Sequence, residues 1–240
     1  MFFACAHEKD PNSGSCCGSH NTITNINIQE STKSAVLITG TAKKNGEQIG
    51  EWYGSGAIVG HHDELGTAIL TAGHVCAPSL PPVEEGDPPI KWGLQVADKN
   101  EKIHKAYAAF VSKDFDACVL HIPLVDIPPL SIAETIPKIG DPVVNISSPF
   151  AIYSKDISLI FTGHYGGTLS KDNNSTYGVF TIPSGPGASG SPVLNTSGKI
   201  IGVVSRVNRR LHHIVLSPTY KELKMFFAGK AKVDPIVFSF

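Results

Sequence analysis

Three short stretches of this sequence supply the residue types of nucleophilic acyl-transfer chemistry. Ser189 lies in Gly185-Pro186-Gly187-Ala188-Ser189-Gly190-Ser191-Pro192, a tight turn leading into an apolar strand. Such a turn holds a hydroxyl rigidly while leaving it exposed, as a nucleophile requires. The glycines before the serine permit a backbone in which the N–H groups of Gly187 and Ser189 aim at one point, an oxyanion hole for a tetrahedral intermediate. On its own the motif is equally compatible with a Gly/Ser-rich hairpin turn that does no chemistry. His74 follows Ala68-Ile69-Leu70-Thr71-Ala72-Gly73, just past an apolar strand, where a loop can present an imidazole over a cleft. Imidazoles ordinarily titrate near pH ~6.5, which suits them to accept a hydroxyl proton near neutrality. The other nine histidines lack this small-residue approach. Asp116 precedes Ala117-Cys118-Val119-Leu120, so its carboxylate stands at the mouth of a buried strand, where it can hold an imidazole in one tautomer. Asp114 competes for that role. Asp116 is preferred because the apolar strand starts immediately after it, whereas Asp114 sits further into the polar loop Ser112-Lys113-Asp114.

Together these segments resemble the trypsin-like serine protease superfamily, in particular its HtrA-like and viral members that lack disulfides. Gly54-Ser55-Gly56-Ala57-Ile58-Val59 followed by Leu70-Thr71-Ala72-Gly73-His74-Val75 is similar to the family's paired strands leading to the catalytic histidine. Phe115-Asp116-Ala117-Cys118-Val119-Leu120 resembles its Asp-x-small-aliphatic-Leu segment, and Gly187-Ala188-Ser189-Gly190-Ser191-Pro192 its Gly-x-Ser-Gly-Gly/Ser-Pro motif. Gly198-Lys199-Ile200-Ile201-Gly202-Val203 looks like the strand lining the substrate pocket. The three motifs occur in the family's order, and the likeness runs from about residue 34 to 228. It implies an all-β fold of two packed six-stranded antiparallel β-barrels with the cleft between them. It also implies a serine endopeptidase that acts on polypeptides with His74, Asp116 and Ser189 as catalytic triad, and that needs no metal or organic cofactor. The alternative is a catalytically silent protease-like domain that binds a peptide or serves as an assembly subunit.

Two departures bear on control and specificity. Ala188 stands where animal digestive relatives carry an aspartate that pairs with a newly cut N-terminus, so that mode of activation is absent. Pro183, six residues before Ser189, puts no charge at the base of the primary pocket, which argues against a preference for basic residues. Ser205, Arg206 and Val207 are expected to border the pocket, with His212 and His213 on the next strand or at a solvated hairpin tip.

Many short strands must position these groups. The chain has 240 residues, 41% of them hydrophobic and 17% charged, enough for a substantial core. Its 23 glycines and 17 prolines supply frequent turn signals, which favours an all-β fold. Short β-branched and apolar stretches recur from Ser34 onward, and four prolines between Pro123 and Pro137 mark an extended connector. The division expected is a flexible Cys/Ser/Asn-rich arm over residues 1–30, a first barrel over 31–128 with His74 and Asp116, and a second over 129–240 with Ser189. Ser217-Pro218 is read as N-cap and first turn of a closing C-terminal helix whose apolar face is Tyr220, Leu223, Phe226 and Phe227.

A formal net charge of -1 argues against nucleic-acid binding, and the lack of a long apolar run argues against a membrane span. The five cysteines, Cys5, Cys16, Cys17, Cys76 and Cys118, are odd in number and irregularly spaced, which predicts free thiols in a reducing compartment. With no signal peptide legible at Met1-Phe2-Phe3, an intracellular or virus-associated setting is expected. Cys5, His7, Cys16, Cys17 and His20 are suitable zinc ligands, but their spacing fits no standard knuckle, so no metal site is assigned. The arm is instead a possible contact for a protein assembly partner.

Overall fold

The computed structural model of the protein describes residues 28–170, 176–207 and 211–238. The arm's cysteines and histidines, and with them any zinc or assembly role, lie outside the described residues. Among the described residues fifteen strands are formed: β1 Ala35–Lys44, β2 Glu47–His62, β3 Gly66–Thr71, β4 Lys91–Ala97, β5 Ile103–Lys105, β6 Ala108–Ser112, β7 Cys118–Ile122, β8 Pro142–Ser147, β9 Leu159–Ser170, β10 Thr176–Phe180, β11 Pro192–Leu194, β12 Ile200–Val203, β13 Arg206–Val207, β14 Val215–Pro218 and β15 Val233–Val237. They make two curled antiparallel sheets, in the orders β15-β6-β7-β3-β2-β1-β4-β5 and β12-β11-β8-β9-β10-β14-β13. This is the trypsin-like two-barrel architecture, with eight and seven strands where six each were expected.

Side-chain alternation decides which face of each strand turns inward. In β1, Val36, Ile38, Gly40 and Ala42 are buried and Leu37, Thr39 and Thr41 are less so, the period of two expected of a strand with one covered face. β2 breaks the alternation: Gly54 to Ile58 are all buried, because there the strand is covered on both sides. Ile58 enters the core of the first sheet with Ile38, Ile69, Leu94 and Leu120, while Ala57 packs between the sheets with Leu70, Val144 and Leu194. A third cluster, including Val143, Phe180, Val193 and Val215, fills the second sheet. Ser55 and Gly56 therefore run through the junction of the two barrels, and the proline-rich connector crosses there too, Leu130 N–H donating to Ile58 and Ala133 N–H to Ile200.

Three boundaries differ from expectation. Residues assigned to the arm and its edge form a short helix, α1 Ile28–Lys33, too brief and polar to show a helical period. A four-residue helical turn, α2 Gly73–Cys76, carries His74. The closing helix, α3 Tyr220–Phe227, starts two residues later than Ser217-Pro218 suggests. Its N-cap is Thr219, which exchanges hydrogen bonds with Glu222 in a capping box, while Ser217 and Pro218 end β14. Tyr220, Leu223 and Phe226 are buried, and Phe227 is exposed. After α3 the chain does not stay with the second barrel: β15 returns to pair with β6 of the first, Pro235 opposite Phe110. No helix among the described residues is long and apolar enough to cross a membrane.

Candidate active site

His74 sits on α2, immediately after β3 ends at Thr71. Its backbone N–H donates to Asp116 Oδ1 at 2.8 Å, and its Nδ1 lies 2.8 Å from Asp116 Oδ2. A carboxylate only accepts, so this contact places the imidazole proton on Nδ1 and leaves the Nε2 lone pair free. Asp116 lies at the entrance to β7, with 18% of its side chain exposed against 49% for His74. Asp114 is exposed and its backbone N–H bonds to Ser112, so of the two aspartates only Asp116 meets the histidine.

Asp116 has one further partner that sequence reasoning did not connect with it. Ser205 Oγ donates to Asp116 Oδ2. Ser205 is buried and its hydroxyl is turned toward the carboxylate. Nothing local distinguishes this serine from its neighbours; the contact spans 89 residues. Burial pushes the Asp116 carboxyl up, but the hydrogen bond and charge of His74, the Ser205 hydroxyl and the His74 N–H outweigh it, holding the group below its ordinary value. A lowered folded-state value means that ionised Asp116 adds stability above the ordinary carboxylate range, about pH 3.9, and loses it as pH falls through the folded value. The melting temperature of the wild type should therefore drop more steeply on acidification below about pH 4 than that of Asp116→Asn. Scanning calorimetry giving parallel acid slopes would count against this account.

The two cysteines among the described residues contradict the free-thiol reading. Cys76 and Cys118 form a disulfide with 6.5 Å between their Cα atoms. Each follows a site residue by two positions, so the bond staples the segment bearing His74 to the one bearing Asp116. The two are paired through the meeting of β3 with β7, Thr71 opposite Cys118, which no spacing rule reveals. Closing a loop with a separation of 42 residues stabilises by about 4 kcal/mol on the chain-entropy model. The Cys76→Ala/Cys118→Ala double variant should melt roughly 8–16 °C lower. An unchanged melting temperature would refute the staple.

Ser189 is half-buried on the turn between the second barrel's strands. Its carbonyl accepts from Ser55 N–H at 2.7 Å, and the next residue, Gly190, donates to Val204 at 2.7 Å. Gly190 has φ +88°, and a Cβ there would collide with Thr71 Oγ1, Ser55 O and Ala72 N. The glycine after the serine thus lets this turn press against the end of β3, three residues before His74. Among the described residues the Ser189 hydroxyl makes no hydrogen bond. Upstream, Ala188 N–H donates to Gly185 O at 3.1 Å, closing a turn with Pro186 and Gly187 at its centre and Gly187 at φ +89°. That is the Pro-Gly pattern of a type II turn. Neither Gly187 N–H nor Ser189 N–H donates within the described residues, so this turn presents two unpaired donors.

Pro183 is exposed, and Ser184 N–H beside it donates to His212 O at 2.9 Å. His212 and His213 are exposed in a turn before β14 rather than on a strand. Arg206 and Val207 form β13, at the edge of its sheet, and the exposed Arg206 guanidinium lies 5.4 Å from the centre of the Tyr177 ring.

Residues 54–203 match the family model of a trypsin-like peptidase domain. The chain is 27% identical over 169 residues to a probable periplasmic serine endoprotease, DegP-like, of Hahella chejuensis, covering 70% of this chain and 32% of that protein. It is 28% identical over 118 residues to a protein of the same description from Pseudomonas fluorescens, covering 49% and 24%. The chain thus spans a third or less of the length of these curated relatives. Among solved structures it is similar in fold to the Rv3671c protease of M. tuberculosis in its active form, with a TM-score of 0.65 at 17% identity and 94% and 93% of the two chains covered. Both curated relatives are named as periplasmic, which overturns the expected intracellular or virus-associated setting.

Proposed function

Because this chain belongs to the trypsin-like peptidase domain family, we propose that it is a serine endopeptidase in which Ser189, His74 and Asp116 form the catalytic triad. The observation that carries this reading is the two-point grip of His74 on Asp116, through N–H and Nδ1, beside a turn that presents a serine and two unpaired N–H groups. In the mechanism, Ser189 Oγ attacks the scissile carbonyl while His74 Nε2 takes its proton. Asp116 stays ionised, holds the tautomer and stabilises the imidazolium. Gly187 and Ser189 N–H bind the oxyanion, and His74 then protonates the leaving amine, giving an acyl-enzyme that water hydrolyses. A polypeptide substrate would lie along the edge strand β13, with Pro183 and Val207 bordering an uncharged primary pocket.

An extracytoplasmic site of action follows from the same reading: the relatives are named as periplasmic, and the Cys76–Cys118 bond suits an oxidising compartment. A fluorophosphonate probe tests the proposal by covalently labelling an activated serine. The wild type should be labelled and should cleave an unstructured protein such as casein. Folded wild-type protein that does neither would favour the silent, peptide-binding alternative.

A further inference from the structure

The Gly187 N–H can serve an oxyanion only if its peptide plane points the right way, and glycine supplies little resistance to rotation about its own φ and ψ. Pro186 restricts its own φ but leaves its ψ free. Orientation must therefore come from what holds the two carbonyls on either side of Gly187. Pro186 O accepts from Phe150 N–H at 2.6 Å. Since C=O and N–H of a trans peptide point in opposite directions, this bond directs Gly187 N–H away from Phe150. The donor lies in the Pro149–Ala151 turn, where Phe150 and Ala151 both have φ +55°, unfavourable for residues with a Cβ.

The other carbonyl is held from the opposite barrel. Ser55, on β2 and only 1% exposed, donates its hydroxyl to Gly187 O at 2.8 Å and accepts with the same oxygen from Ser148 N–H at 2.9 Å. Its N–H donates to Ser189 O at 2.7 Å, and its own carbonyl accepts from Thr71 Oγ1 at 2.7 Å. One buried residue of the first barrel thus grips both ends of the Gly187–Ser189 segment and the start of the 148–151 turn that grips Pro186. From this geometry we infer that Ser55 is a positioning residue of the oxyanion hole, its hydroxyl fixing the Gly187–Ala188 peptide directly and, through Ser148 and the turn that holds Pro186 O, the direction of Gly187 N–H across the barrel junction. The inference rests on the endopeptidase reading and assigns Ser55 no contact with substrate.

The test is Ser55→Ala, compared with wild type for peptide hydrolysis and for inhibition by a peptide boronate, whose tetrahedral adduct places an oxygen in the hole. Rates are normalised to the end-point stoichiometry of fluorophosphonate labelling. Deleting an oxyanion donor outright costs about 10²–10³-fold in kcat, and misdirecting one should cost roughly 10–100-fold. The expected result is that loss in kcat per labelled site, KM within about twofold, and boronate affinity falling in step with kcat. A purely structural role would lower the melting temperature and the labelled fraction but leave kcat per labelled site unchanged, and that result overturns the inference. Should the alanine variant fail to fold, Ser55→Cys, whose longer and weaker S–H group fills the site without reproducing both bonds, must show the same kcat-selective loss. Wild-type protein that neither labels nor cleaves overturns the endopeptidase reading and this inference together. An active wild type beside an unimpaired Ser55 variant overturns the inference alone.

Discussion

Ser189→Ala is expected to lower kcat by about a millionfold while leaving the protein folded. The size follows from the role proposed for the hydroxyl: without it no acyl-enzyme forms, and His74 and Asp116 have nothing to activate. What survives is binding and the oxyanion donors, worth a residual 10³–10⁴-fold or so over the reaction in water. The fold should be indifferent, because the hydroxyl makes no hydrogen bond among the described residues. The contact that anchors Ser189 is its carbonyl, taken by Ser55 N–H, and alanine retains that carbonyl. The melting temperature should move by no more than a degree or two, in line with a change of about 0.5 kcal/mol or less. Fluorophosphonate labelling should vanish together with hydrolysis. A Ser189→Ala protein that still labels would assign the nucleophile to another residue.

Asp116→Asn is the second large effect, about a 10⁴-fold loss in kcat, with Asp114→Asn near wild type as its control. The reason lies in proton geometry. Asp116 accepts from His74 N–H, from His74 Nδ1 and from Ser205 Oγ, so it is an acceptor on every side. An asparagine keeps one carbonyl oxygen and replaces the other with an amide donor. If that donor faces Nδ1, the imidazole carries its proton on Nε2, where it can no longer take one from the serine. Asp114 is exposed and has no part in this arrangement. Both variants should be assayed by burst and steady-state kinetics with the melting temperature as a check on folding. A damaging Asp114→Asn with an innocuous Asp116→Asn would reverse the assignment.

The residues proposed to do chemistry were legible because each lies in a local pattern: small residues before His74, an apolar strand after Asp116, glycines around Ser189. Strand-like stretches were legible for the same reason, since alternation along β1 depends only on which face is covered. Composition misled in one respect. An odd number of cysteines at irregular spacing says nothing about Cys76 and Cys118, which meet because β3 and β7 are neighbours. The closing strand β15 was missed because Val233-Asp234-Pro235 carries a charge and a proline, which are admissible at the edge of a sheet, and β15 is an edge strand.

By itself, then, the amino-acid order determined the fold class and the candidate nucleophile, base and carboxylate, because those are written in residue type and short-range period. Tertiary structure alone decided what surrounds them: Ser205 on the carboxylate across 89 residues, the disulfide between the two supporting segments, and the Ser55 hydroxyl on Gly187 across 132. A hydrogen bond between distant strands depends on how two sheets dock. A serine that makes one is, in the sequence, indistinguishable from a serine that does not.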